Sequence, residues 1–369
     1  MSNTLLVATR KGLFTVARTG AGAWSITDTA FLGDNVSLVL QDRRDGATYA
    51  ALDHGHFGVK MHRQDKGGAW VELPAPAYPP RPEGLVQNDM WGRPLPWSTV
   101  RVWALETGGA NEPGVIWCGT IPGGLFRSPD RGQSWEMIRS LWDHPKRPMW
   151  MGGGADLPGL HSIIVDQRNP RRLWVAVSTG GIWHTEDGGA SWVQRGEGMR
   201  ADHVPPELTH DPIAQDVHCL VQCPSAPNRM YVQHHNGIFV SSDEGKSFTE
   251  VKGVEPSTFG FAVRVHPRDP DTAWFVPEIK DEKRIPRDGR LVVSRTRDGA
   301  KSFETLTKGL PQQHAYDVVY RHALDLDANG ERLAFGSTTG GLWVSEDQGD
   351  NWITLSHTLP PVYAVRFAA

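Results

Sequence analysis

An eight-residue turn recurs along this chain and constrains its fold more than any other feature. It reads Ser128-Pro-Asp-Arg-Gly-Gln-Ser-Trp135, then Thr185-Glu-Asp-Gly-Gly-Ala-Ser-Trp192, Ser241-Ser-Asp-Glu-Gly-Lys-Ser-Phe248 and Ser345-Glu-Asp-Gln-Gly-Asp-Asn-Trp352. Weaker copies are Arg63-Gln-Asp-Lys-Gly-Gly-Ala-Trp70 and Thr296-Arg-Asp-Gly-Ala-Lys-Ser-Phe303, where Ala300 replaces the glycine. Each copy lies between two short apolar runs, which is the pattern of a tight hairpin. The Asp carboxylate can accept backbone N–H bonds inside the turn, and Gly supplies a positive φ. The closing aromatic opens the next strand and can pack against a neighbouring repeat.

A degenerate seventh copy, lacking the Asp, is Leu5 to Phe14 followed by Ala23-Trp24. A self-similar period of roughly 50 residues marks a four-stranded propeller blade. The expected fold is therefore all-β, a single seven-bladed β-propeller over residues 1–369. Its blades are placed at 1–27 with 360–369, 35–73, 99–138, 160–195, 216–251, 259–306 and 316–355. The alternating C-terminal run Val362-Tyr-Ala-Val-Arg-Phe367 is expected to pair into the N-terminal blade and so remove an open sheet edge. Forty Gly and 27 Pro suit many short strands joined by turns, and no helix of real length is expected.

The repeated turns resemble the Asp-box (BNR) repeat of sialidases and other glycan-active propellers, and the resemblance covers nearly the whole chain. In those families the boxes are structural turns and do not catalyse. A closer resemblance is to bacterial Asp-box propellers labelled glycosyl hydrolase or exo-sialidase. It is carried by Thr9-Arg-Lys-Gly-Leu-Phe14, Leu141-Trp-Asp-His-Pro-Lys-Arg-Pro148 and Gly309-Leu-Pro-Gln-Gln-His-Ala-Tyr316. The resemblance implies a sialidase-like glycosyl hydrolase. Sialidases of this kind carry an Arg-Ile-Pro motif before the first box, whose Arg belongs to a triad clamping the substrate carboxylate. Here Arg284-Ile285-Pro286 falls in the sixth blade, and no full triad can be assigned from Arg10, Arg101, Arg200, Arg284 and Arg321.

A net charge of −4 gives no basic surface for nucleic acid. No run of 18 apolar residues exists, so no membrane span is expected. The N-terminus reads as a strand and not as a signal peptide, which suggests a cytoplasmic protein. Cys118, Cys219 and Cys223 are read as buried thiols.

With strands A to D in each blade and A innermost, the repeated turns are C-to-D loops on one face. Four insertions, at 74–98, 139–159, 196–215 and 278–289, are D-to-A or B-to-C loops and belong to the opposite face. Long loops on one side of a rigid scaffold usually carry function. The site is therefore expected at the mouth of the central channel on that face.

The catalytic candidates there are Glu278, Asp143, Asp202 and Tyr316, a carboxylate pair or a tyrosine nucleophile being the means of glycoside cleavage. Substrate-binding candidates are His161, His218, His234, His144, Arg284, Arg101, Trp103 and Trp150. No cofactor is assigned. A divalent metal remains an alternative with His161, His218 and His234 as candidate ligands, although no helical H-x-x-x-H pattern exists. Three readings thus stand together: a glycosyl hydrolase acting on a small-molecule or glycan ligand, a His-based metal-dependent enzyme, and a non-catalytic propeller that binds a ligand or protein partner. The last would present an aromatic patch such as Trp91, Trp97, Trp142 and Trp150.

Overall fold

The computed structural model describes residues 2–20, 22–88, 92–153 and 155–368. Its strands form seven four-stranded sheets, the blades of an all-β seven-bladed propeller. Blade 1 joins Thr4–Thr9, Gly12–Arg18 and Trp24–Ala30 to the C-terminal strand Val362–Phe367, and blade 2 holds Val36–Gln41, Thr48–Asp53, Val59–Gln64 and Trp70–Leu73. Blade 3 comprises Arg101–Thr107, Ile116–Ile121, Leu125–Ser128 and Glu136–Met137, and blade 4 Leu160–Val165, Leu173–Val177, Gly181–Thr185 and Val193–Arg195. Blade 5 runs through Val217–Cys223, Ala226–His234, Gly237–Ser241 and Thr249–Val251. Blade 6 follows with Gly260–Val265, Ala273–Pro277, Val293–Thr296 and Glu304–Leu306, and blade 7 with Leu324–Leu326, Leu333–Gly336, Leu342–Ser345 and Ile353–Ser356.

The terminal strands pair antiparallel, Leu5 opposite Phe367 and Val7 opposite Val365, as the alternating C-terminal run requires. Burial explains the layering of a blade. Thr4–Thr9 is buried along nearly its whole length, whereas the outer strand Trp24–Ala30 is mostly exposed.

The chain divides into two compact units, residues 1–43, 218–244 and 249–369, and residues 44–217 with 245–248. In the first, Val362–Phe367 lies against Val36–Gln41 and Leu324–Leu326, and Leu324–Leu326 against Gly260–Val265. Its core gathers Leu5, Val7, Trp274, Phe335, Trp343 and Trp352. In the second, Trp117, Trp150, Leu160, Val175, Trp183 and Trp192 form the core. Cys118, Cys219 and Cys223 are buried free thiols.

Four of the repeated turns share one hydrogen-bond scheme. Asp187 Oδ1 accepts from the Ser191 N–H at 2.9 Å and the Thr185 hydroxyl at 2.7 Å, while Oδ2 accepts from the Ser191 hydroxyl at 2.5 Å. Asp130, Asp298 and Asp347 repeat the pattern with Ser134, Ser302 and Asn351. The Ser302 hydroxyl and N–H hold the Asp298 carboxyl at about 2, below the usual range.

In three of the repeated turns the two residues after the Asp both take positive φ although the first is not glycine: Arg131 and Gly132, Glu244 and Gly245, Gln348 and Gly349. Ala300 occupies the second of these positions at φ 71°. A side chain in that region costs roughly 1–2 kcal/mol, and Ala300→Gly preserves the 2.9 Å bond from the residue 300 N–H to Thr296 Oγ1. Ala300→Gly is therefore expected to stabilise the protein by up to about 1 kcal/mol after the added chain entropy of glycine. A rise of one to a few degrees in melting temperature would be the sign of it; a fall would show that the turn does not carry the strain.

Two expectations need correction. The inner strand of blade 7 is Leu324–Leu326, so Tyr316 does not begin it; Tyr316 lies in the irregular segment before that strand and is 59% exposed. Among the described residues, the tryptophans of the insertions do not make an open patch. Trp142 and Trp150 are buried, and Trp97 packs on Trp142 with ring centroids 5.6 Å apart while its indole N–H donates to the Pro79 carbonyl at 2.6 Å. Tyr78 packs on both Trp97 and Trp142, so the first two insertions are stapled to each other by aromatic contact. Trp91 lies outside the described residues.

Candidate functional site

In the first unit, the starts of the inner strands of blades 5 and 6 bring together several of the expected residues. His218 is buried at the second position of Val217–Cys223. Its ring stacks on Phe261 at 4.7 Å and 17°, and meets Phe259 and His235 edge-on at 5.6 and 5.7 Å. Phe261 in turn touches Tyr320 edge-on at 5.3 Å. The His218 Nδ1–H donates to the Gly260 carbonyl at 2.7 Å, and the Arg321 Nε–H donates to the His218 carbonyl at 2.6 Å. Arg284 lies over the Phe261 ring at 5.2 Å and is paired with Asp281.

Glu278 follows the second strand of blade 6, and its N–H bonds the Phe259 carbonyl at 2.8 Å. The side chain is buried, and neither carboxyl oxygen makes a well-formed hydrogen bond. Burial pushes its pKa up to about 9; the Val319 backbone N–H opposes this weakly, and the negative charge of Asp317 adds to it. Glu278 is thus a neutral acid at pH 7. Asp317 accepts from the Ser337 hydroxyl at 2.7 Å and from the Thr339 hydroxyl. A buried carboxylic acid beside a second carboxyl with different partners is the arrangement from which acid and base roles are drawn.

The remaining expected residues are placed differently. His234 is fully buried, its Nδ1 accepting the Asn236 N–H at 3.0 Å and its ring packing on Phe239. In the second unit, His161 bonds Ser162 Oγ at 2.9 Å and meets Trp103 edge-on at 5.7 Å. Arg101 is tied to Asp53 Oδ2 at 2.8 and 3.0 Å. Asp143 is exposed and paired with Arg139 at 2.7 Å, and Asp202 is exposed and paired with Arg200. His144 accepts the Lys146 N–H and packs on Trp183, while Trp150 belongs to the core. Of the arginines offered for a carboxylate clamp, Arg101, Arg200 and Arg284 are thus each engaged by an aspartate of this chain.

Sequence reasoning missed Asp317 as the neighbour of Glu278. The signal lay one residue away, at Tyr316, but nothing in the local pattern says which of the two points inward. It also preferred His234 to His235, the one whose ring meets His218.

No family model matches the chain. Over 82 residues, 22% of this chain, it is 29% identical to the probable oligoxyloglucan-reducing end-specific xyloglucanase of Neosartorya fischeri, and the match covers 9% of that protein. Its fold is similar to that of the GH74 xyloglucanase from Xanthomonas campestris, with a TM-score of 0.63, 16% identity, and coverage of 98% of this chain and 52% of that one. This chain therefore spans about half the length of the Xanthomonas enzyme. It is also similar to the periplasmic gluconolactonase of Pseudomonas aeruginosa, with a TM-score of 0.59, 11% identity and 99% coverage of both chains. At these identities the likeness is one of fold.

Proposed function

We propose that the protein is a carbohydrate-acting hydrolase of the glycosyl hydrolase type, with Glu278 as its general acid and Asp317 as the partner carboxylate. The observation that carries this reading is the burial of Glu278, which keeps it protonated at neutral pH beside a second carboxyl. A protonated carboxyl can donate to the oxygen of a leaving sugar, and a neighbouring carboxylate can activate water or stabilise the developing positive charge. Phe259 and Phe261 are buried and pack with the partly exposed Tyr320, a ring of the kind on which the apolar face of a sugar packs. The similarity to xyloglucan-acting proteins supports a glycan as the ligand.

A panel of aryl glycosides and oligosaccharides, xyloglucan fragments included, tests this with wild type and Glu278→Gln. A loss of about 10²–10⁴-fold in kcat is expected in the variant, with its circular dichroism unchanged. Turnover that is equal in the two proteins removes Glu278 from the chemistry. The second reading, a propeller that binds without catalysis, is favoured by the depth of Glu278, which is 1% exposed. Saturable glycan binding by a wild type that turns over no member of the panel would decide for it.

A further inference from the structure

The second insertion buries a positive charge. Arg147 is 3% exposed, and Trp142 and Trp150 beside it are buried as deeply. Its guanidinium carbon stands 3.3 Å from the Trp142 ring centre and 5.8 Å from that of Trp150. Burial lowers its pKa to about 10, so the group stays charged at neutral pH. Among the described residues its acceptors are the Pro122 carbonyl, 3.1 Å from Nη2, and the Gln87 side-chain oxygen, 3.5 Å from Nη1. Both are neutral, and Nε has no acceptor. Asp143, four residues earlier, gives both carboxyl oxygens to Arg139, at 2.7 and 3.1 Å. All these residues belong to the compact unit that contains 44–217.

The Trp142 face attracts the charge, but a ring face gives no acceptor to N–H bonds lying in the guanidinium plane. The indole N–H groups of Trp142 and Trp150 are likewise buried without an acceptor. Gly123 and Gly180 close on Trp150, where an added Cβ would lie 3.2 and 3.0 Å from the ring, so the indole has little room to turn towards one. Folded proteins rarely leave buried donors unsatisfied, and a buried charge more rarely still. Three N–H donors and one positive charge in a single cluster are the complement of a small anion.

We propose that Arg147 binds a small monocarboxylate, of the size of formate or acetate, in the cluster it forms with Trp142 and Trp150. The planar guanidinium fork matches a carboxylate, and a single positive charge in a buried site favours a singly charged ligand over phosphate. The anion completes the join between the first two insertions, which Tyr78 makes on its side by packing on Trp97 and Trp142. Neither Glu278 nor Asp317 takes part in this site.

Full-length protein is dialysed at pH 7 into sodium methanesulfonate and unfolded in urea, with formate, acetate or chloride replacing methanesulfonate at fixed ionic strength. Unfolding opens the cluster to solvent, so slow exchange in the closed protein does not mask binding. Wild type is expected to show a saturable rise in urea midpoint with formate or acetate, as a ligand held only by the folded state requires. Arg147→Met keeps an unbranched apolar stem against Trp142 and is expected to bind at least about 10-fold more weakly, the worth of one charge-assisted hydrogen bond. Arg147→Lys keeps the charge without the fork and is also expected to bind more weakly than wild type. Lys301→Ala removes an exposed cation elsewhere and is expected to follow wild type. A wild-type midpoint unmoved by either carboxylate, with no carboxylate released on denaturing the dialysed protein, overturns the proposal. So does a shift of equal size in wild type and both Arg147 variants, or saturation by chloride alone.

Discussion

Glu278→Gln is expected to make the protein more stable than wild type, by an amount that grows with pH. The folded-state pKa of Glu278, about 9, stands above the ordinary 4.5. Between these values the unfolded chain releases the proton and the folded chain keeps it, so wild-type stability falls as pH rises across the window and the loss is complete above the folded pKa. Below pH 4.5 both states are protonated and the glutamate carries no such penalty. Each unit of separation is worth about 1.4 kcal/mol, which gives an upper figure on the order of 3 kcal/mol at pH 7. Glutamine mimics the neutral acid at every pH. The two proteins should therefore melt together near pH 4 and diverge through pH 9, with the variant higher. Parallel melting curves from pH 5 to 9 would show that Glu278 ionises normally and would remove its qualification as a general acid.

The second large effect is expected at Gly309, in the Gly309-Leu310-Pro311 segment that leads from blade 6 towards blade 7. Gly309 has φ 84°, and a Cβ there would lie 1.9 Å from the Trp352 carbonyl oxygen and 2.8 Å from its carbon. The obstacle is backbone, held in place by the Trp352 N–H donating to the Lys308 carbonyl at 2.9 Å. Gly309→Ala thus combines the cost of a left-handed alanine, about 1–2 kcal/mol, with overpacking that no side-chain rotation relieves, typically 1–3 kcal/mol. A loss of about 2–5 kcal/mol is expected. Gly253→Ala is the matched control, with φ 73° and nothing within 4 Å of the added carbon. It should lose only the backbone part, and chemical denaturation of both variants would separate the two costs. Equal losses would mean that the Trp352 carbonyl yields freely.

Most of the fold was legible in the residues because it is written locally and repeatedly. The Asp turns, with their hydroxyl or amide partner four residues on, recur once per blade in four blades, and each forms by short-range hydrogen bonds that need no distant segment. The pairing of Val362–Phe367 with Thr4–Thr9 was readable because an apolar, alternating terminus has few other ways to satisfy its backbone.

The site is a different matter. Glu278 and Asp317 come from separate segments, and only packing tells that Asp317, and not its neighbour Tyr316, lies beside the buried acid. His234 and His235 are indistinguishable in composition, yet His234 ends a strand and His235 lies in the turn that follows it. One becomes a buried partner of Asn236 and Phe239, and the other meets His218. Likewise the tryptophans of the insertions read as a surface until Tyr78 is seen between Trp97 and Trp142. Hydrogen bonds within a few residues let the chain's own order determine its blades. Which side chains end up buried together depends on contacts between segments far apart in that order, and those are decided only when the blades pack.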